Sequence, residues 1–522
     1  MQRAEAVKDI YRKRGAKGLP LERVYRHLFD QELFLRGYGK IYRNFGAMTK
    51  GTTEETVDGM SLRKIQTIID LLKVERYVWT PVRRTEIPKA DGRMRPLGIP
   101  TWGDKLLQEV IRSILEPYYE QRFSSRSHGF RPNRSCHTAL LELRTKWVGT
   151  VWFIEGDIKG CFDNIDHKIL LEIIRRDIHD GRMLNLIEGL LKAGYMEGWR
   201  YHDTLSGTPQ GGIISPLLAN VYLNDLDRFV ERTLIPTYTM GKIRKRSKEY
   251  DALASNIQRA RDDGELEKAT QLKRQRRKLI SYVPCDPSYR RLRYLRYADD
   301  FLLGFVGPKN EAEDIRRQIG EFLGSDLRLT LSPEKTLITH ATDECAKFLG
   351  YEVSVGKSED KLTEGRRATN GKIQLRMPRR VVDKYRSLYS KGGKVIHRKE
   401  LTADTDYTIL QRYQGVYTGI YNYYCMAVNV SKRVQVVRSV LRTSLVKTLA
   451  SKFKCRAMEI VRRYRVENAE PAMLRVVIER KDKEPLVAIF GGIRLERKPD
   501  GLGGIVDTSI EVAWHKPGGR RS

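Results

Sequence analysis

Hydrophobic and polar positions recur along this chain with two periods. SLRKIQTIIDLLK (61–73) sets Leu62, Ile65, Ile68, Ile69 and Leu72 at helical spacing, and residues 104–123 repeat that spacing with Leu106, Val110, Ile114 and Leu115. Both stretches predict amphipathic helices. RRTEIPKADGRMRPLGIP (83–100) reads as two strand arms about an ADG turn. TVWFIEGDI (150–158) alternates well enough for a half-buried strand, with Asp157 near its C-terminal end and a loop and helix after it. In RLRYLRYADDFLLGF (291–305), one apolar run enters Asp299-Asp300 and another leaves, which predicts two strands joined at an acidic turn.

A helix over 310–324 and the strand-like AKFLGYEV follow. Beyond residue 375 the pattern is helical. There Tyr413, Tyr417, Tyr421 and Tyr424 share a face and read as core, while Gly415 and Gly419, four apart, predict close helix packing. Residues 1–75 read as basic, mostly helical segments, and 471–515 as β-rich with glycine turns. No fixed-period repeat is present. Strands interleaved with helices, followed by a helical region, predict an α+β core and a second, helical domain.

Charge changes the picture. Lys and Arg number 97 against 65 Asp and Glu, a net charge of +32, which points to a polyanionic partner, above all nucleic acid. The excess is conspicuous in GKIRKRSKEYDALASNIQRARDDGELEKATQLKRQRRKL (241–279), two helix-like halves about a DDG break. A solvated helical hairpin and an RNA-contacting insertion are equally good readings of it. The N-terminus has no apolar signal core and no run of 18 apolar residues occurs, so neither secretion nor a membrane span is expected. Six scattered cysteines with no C-x-x-C pair speak against zinc and for reduced, mostly core thiols.

The candidate chemistry lies at Asp299-Asp300. Adjacent carboxylates between strands repel one another unless they hold cations. Two-metal nucleotidyl transfer needs carboxylates on rigid strands, one ion activating a primer hydroxyl and the other neutralising the departing pyrophosphate. Asp157 is the candidate third ligand. Other acidic pairs, Glu54-Glu55 and Asp262-Asp263, lack the flanking apolar runs and read as surface. Spacing by itself leaves both a metal site and a plain turn open at 299–300.

RRTEIPKADGRMRPLGIP, SHGFRPNRSCHTAL, DIKGCFDNIDH, TPQGGIISPLLANVYL, RYADD, LSPEKTLITH and FLGY together resemble the ordered blocks of bacterial group II intron-encoded reverse transcriptases. YRNFGAMTKGTTEETVDG resembles the extra block that precedes the fingers in that group. The resemblance implies a right-hand polymerase, with fingers and an antiparallel palm over 76–375 (basic insertion about 236–290) after an N-terminal extension, 1–75. A helical thumb or maturase domain would occupy 376–465 and a β-rich, possibly DNA-binding segment 466–522, with no HNH nuclease motif.

It further implies that Asp157, Asp299 and Asp300 hold two Mg²⁺ ions, with the Ile158 carbonyl as a minor ligand. Lys89 and Arg95 would clamp the dNTP triphosphate, Phe162 would exclude a 2′-hydroxyl, and Gln210 would line the nucleotide pocket, where glycines admit close backbone approach. Arg131, Asn133 and Arg134 would meet template or brace the fingers, and His128 reads as structural rather than catalytic. Lys432, Arg433, Arg438, Arg442 and Lys447 would contact RNA phosphates. Implied partners are the intron RNA, in a ribonucleoprotein, and target DNA with its primer. The implied location is the bacterial cytoplasm and nucleoid. The rival functions are a host-associated reverse transcriptase, used in defence or diversification, and a maturase acting through RNA binding without polymerisation.

Overall fold

A computed structural model describes residues 2–88, 94–197, 200–202, 207, 211–279, 281–283, 286–357, 370–467, 473–481 and 483–503. The chain divides into two compact units, residues 1–131 with 152–338, and residues 132–151 with 339–522.

In the first unit, the 61–73 pattern forms helix α1 (Leu62–Lys73), capped by Ser61 Oγ, which accepts from Lys64 N. Ile65, Ile68, Ile69 and Leu72 are buried as expected, while Leu62, at the first helical position, is 59% exposed. The arms about ADG form β1 (Val82–Pro88) and β2 (Met94–Ile99), paired antiparallel. Helix α2 (Trp102–Tyr119) starts where Thr101 Oγ1 accepts from Asp104 N. Its apolar stripe, Leu106, Val110, Ile114 and Leu115, lies in the main core.

β3 (Trp152–Asp157), β4 (Arg291–Tyr297) and β5 (Asp300–Val306) are three strands of a four-stranded sheet. β5 lies between the other two, antiparallel to both, and is buried from Phe301 to Val306. β3 is buried from Phe153 through Gly156, so both of its faces are covered rather than one. β3 is an interior strand of the sheet, and its Ile154 packs into the main core. Helices α3 (His167–Asp177) and α4 (Ser215–Phe229) contribute to the same core. The basic insertion is a hairpin of α5 (Lys248–Asp262) and α6 (Leu266–Lys278), turned at Gly264. Helix α7 (Lys309–Asp326) follows β5.

In the second unit, α8 (Asp406–Tyr424) packs on α9 (Val430–Phe453). Tyr413, Tyr417, Tyr421 and Tyr424 are all buried, and Tyr413 Oη lies 2.9 Å from Ser444 Oγ and 3.1 Å from Thr448 Oγ1. The tyrosine stripe is therefore core, and further along it Tyr421 Oη donates to Glu496 O at 2.8 Å and Tyr424 Oη to Gly350 O at 3.3 Å. The close-packing expectation fails at Gly415, where an added Cβ would meet nothing within 4 Å. A hairpin of β6 (Leu474–Arg480) and β7 (Lys483–Phe490) follows, and residues 504–522, part of the expected β-rich segment, lie outside the described residues.

Candidate active site

Strand pairing brings the three aspartates together. Asp157 closes β3 and Asp300 opens β5, and the two face each other as partners in the antiparallel ladder. Tyr297 and Asp300 also pair, so β4 and β5 are joined by only two residues, Ala298 and Asp299. Ala298 takes φ 56°, the left-handed region that such a tight turn demands and that a non-glycine residue adopts at a cost.

The tail of β3 is steered by a second segment. Ile158 bridges Leu331, Lys159 N donates to Thr330 O, and Ser332 N donates to Asp157 O at 2.8 Å. This register carries Lys335 to the site, where Nζ lies 2.9 Å from both carboxylate oxygens of Asp157. LSPEKTLITH is one of the blocks that carry the family resemblance, which implies no role for its lysine. A single cation two residues beyond a proline turn gave no cue that it would reach an aspartate 178 positions away.

The crowding is visible in the acids themselves. Burial, then the charges of Asp299 and Asp157, push Asp300 up to about 7. Asp299 is raised by burial and then by Asp157, against the lowering influence of Arg95 and Lys335. Arg95, exposed on β2, is thus near enough for its charge to be felt at Asp299.

An acid whose folded pKa is raised favours the folded state while protonated. That contribution is complete below the unfolded value, about 4, and is lost as pH rises through about 7. Metal-free protein is therefore expected to lose more melting temperature over this interval than Asp300→Asn does. Mg²⁺ is expected to stabilise the native protein more at about pH 8 than at about pH 6, because the cation takes the place of the proton. Paired thermal melts check this, and a Mg²⁺ increment that ignores pH would exclude these carboxylates as its ligands.

All-oxygen carboxylate donors suit a hard divalent cation. Among the described residues no three His, Cys, Asp or Glu side chains already converge as a metal-holding group. Asp157 is instead engaged by Lys335.

The remaining expected site residues fare differently. Phe162 is half-buried in a short turn (Cys161–Asp163), its ring edge-on to Phe130 at 6.2 Å. The Ile158 side chain is buried. Lys89 and Gln210 lie outside the described residues. In the loop after Gln210, Gly211 has φ 113°, and a Cβ there would sit 2.6 Å from Gly98 O, so its close approach is to β2.

Of the two roles open to Arg131, template contact and brace, the structure shows the internal brace. Arg131 is buried, its Nε and Nη2 hold the Glu120 carboxylate at 3.0 and 2.7 Å, and Nη1 donates to Ser127 O. His128 is buried and its N–H donates to Arg296 O, in keeping with a structural role. Arg134 is half-buried, and Asn133 takes φ 58°.

In the second unit Arg438 is buried on the packed face of α9, which removes it from the phosphate contacts expected there. Lys432 is exposed and Arg433 and Arg442 half-buried, while Lys447 Nζ donates to Val395 O at 2.7 Å.

A family profile described as reverse transcriptase (RNA-dependent DNA polymerase) matches residues 87–353, the stretch that carries β2 to β5 and all three aspartates. A second profile, type II intron maturase, matches residues 381–484, past the expected boundary at 465 and into the β6–β7 hairpin. The group II intron-encoded protein LtrA of Lactococcus lactis subsp. cremoris is 42% identical over 452 residues, covering 83% of this chain and 75% of LtrA. The putative COX1/OXI3 intron 1 protein of Saccharomyces cerevisiae is 36% identical over 444 residues, 82% of this chain and 53% of that protein. Protein YkfC of Escherichia coli is 34% identical over 341 residues, 64% of this chain and 83% of YkfC. The chain belongs to the group II intron-encoded family of reverse transcriptases and maturases. Its enzymatic activity is RNA-directed DNA polymerisation. Among the described residues no helix is long and apolar enough to cross a membrane.

Proposed function

We propose that Asp157, Asp299 and Asp300 are the catalytic carboxylates of this polymerase and hold two Mg²⁺ ions, which when bound would activate the primer hydroxyl and neutralise the pyrophosphate. The observation that carries the reading is the β3–β5 register, which pairs Asp157 with Asp300 one residue from Asp299. Arg95, with Lys89, grips the triphosphate of the dNTP, and the ring of Phe162 stands against the sugar C2′. Residues 376–465 act as a helical thumb that binds intron RNA, with Lys432, Arg433 and Arg442 as its available cations on α9. The net charge of +32 supports binding to RNA and to a target DNA that primes synthesis during intron mobility.

Primer extension on an RNA template with dNTPs and Mg²⁺ tests the reading. In that assay Phe162→Ala is expected to raise rNTP use relative to dNTP by about tenfold to a hundredfold, since an aromatic edge excludes the hydroxyl sterically and not by binding. Unchanged sugar discrimination would remove Phe162 from the pocket.

A further inference from the structure

Behind the acidic turn lies a charged cluster that the polymerase reading does not use. Arg296, one residue before Tyr297, is completely buried. Its Nε and Nη2 grip both oxygens of Asp227 on α4, at 2.8 and 2.7 Å, and both side chains are 0% exposed. Its remaining limb, Nη1, donates to Asn220 Oδ1 at 3.1 Å and to the main-chain carbonyl of Ala298 at 2.8 Å. Asp227 also accepts from Tyr294 Oη at 2.8 Å. Asn220 Nδ2 in turn donates to Gly129 O at 2.9 Å, and the segment ending at Gly129 pairs along β4 through a Ser127–Arg296 bridge.

Stability does not explain such a cluster. Burying two charges costs several kcal/mol each, and apolar residues of similar size often serve a core as well or better. What an apolar side chain cannot do is hold a carbonyl oxygen at a fixed point. The carbonyl held here belongs to Ala298, the residue forced to φ 56° in the two-residue turn that presents Asp299. Left-handed backbone at a non-glycine residue costs about 1–3 kcal/mol and persists only where its surroundings over-determine it. One guanidinium ties that strained carbonyl to α4, and α4 through Asn220 ties the same turn to Gly129.

We propose that the buried Arg296–Asp227–Asn220 cluster is a positioning device that sets the backbone of the Ala298–Asp299 turn and so the reach of Asp299 and Asp300 toward Asp157. The inference rests on the assignment of those aspartates as the catalytic carboxylates. Arg296, Asp227 and Asn220 touch no reacting atom; they act through the turn.

Arg296→Lys tests this, because lysine keeps a charge opposite Asp227 but cannot grip Asp227, Asn220 and the Ala298 carbonyl together. The expected result is a folded protein with wild-type RNA affinity and an unchanged KM for dNTP. Its kcat in primer extension should fall by about tenfold to a hundredfold, the range for a misplaced catalytic group. Mn²⁺ uptake by the metal-free protein, read by calorimetry, should weaken in parallel. Adding Ala298→Gly to Arg296→Lys should recover most of both losses, since glycine holds the positive φ without help.

A loss of kcat that merely follows the folded fraction, or no recovery on adding Ala298→Gly, would overturn the proposal. Should Arg296→Lys fail to fold, Asn220→Ala carries the same test without leaving a charge unpaired. A folded Asn220→Ala with wild-type kcat and Mn²⁺ uptake would overturn it equally. Asp299→Asn separates the two levels: activity retained there defeats the site assignment, whereas an inactive Asp299→Asn beside a fully active Arg296→Lys defeats the positioning role alone.

Discussion

Asp299→Asn is expected to lower dNTP incorporation on an RNA template by roughly a thousandfold or more, while raising the melting temperature of the metal-free protein. The two effects have one cause. Asp299 sits at the tip of the β4–β5 turn, and its charge is the second largest influence, after burial, lifting Asp300 to about 7. Replacing it with a neutral amide relieves that repulsion, so the empty fold gains. The same change removes a carboxylate from the set that would hold the cations, and cation stabilisation of developing charge is worth several kcal/mol, tenfold in rate for each 1.4.

RNA binding and the splicing of the chain's own intron RNA at low Mg²⁺ should survive in this variant, because the maturase match begins at residue 381. Primer extension, a thermal melt and a splicing assay on one preparation read all three. Wild-type extension would sink the carboxylate assignment. Splicing lost together with extension would argue that the two roles share this site.

Gly129→Ala is expected to be nearly as damaging, although Gly129 carries no chemistry. A Cβ there would lie 2.4 Å from the backbone nitrogen of Ala298 and 3.0 Å from the carbonyl carbon of Tyr297. These are main-chain atoms of the acidic turn and cannot rotate aside, so the turn itself must shift. Overpacking of this kind costs about 1–3 kcal/mol of stability, and displacement of a catalytic group by about 1 Å costs on the order of a hundredfold in rate. Gly415→Ala serves as the contrast within the same chain. It lies inside α8 with open space around it, and alanine there is expected to add about 0.5–1 kcal/mol of stability. Melting temperature and kcat measured for the pair decide it. A Gly129→Ala protein with wild-type kcat would show that the turn tolerates the push.

Particular residues mark how far the sequence could be read. The helix over 62–73, the stripe of α2, the break at Gly264 and the two strands about Asp299-Asp300 were all legible, because each rests on periodicity or on a local turn signal. Asp157 could be nominated as a partner, since an acid at the end of a strand is a local pattern. Reading failed wherever a residue's job depends on something distant. Arg438 reads as a phosphate contact and is buried, and Arg131, for which template contact and bracing were both open, is the brace. Gly415 looked like a packing glycine and is not, whereas Gly129 is one. Lys335 was part of a recognised block, with nothing local to show that it would meet Asp157.

The sequence by itself determined the class of chemistry: ordered blocks, a large positive charge and an acidic pair set between apolar strands. Those are composition and short-range order, and they survive without coordinates. Only the tertiary structure decided which strand faces which. Register pairs Asp157 with Asp300, and a buried guanidinium from Arg296 reaches back to the carbonyl of Ala298 while α4 supplies its counter-charge. The physical reason is that burial and strand pairing are relations between residues tens to hundreds of positions apart, whereas a local pattern carries the preference of one segment and not the identity of its neighbour.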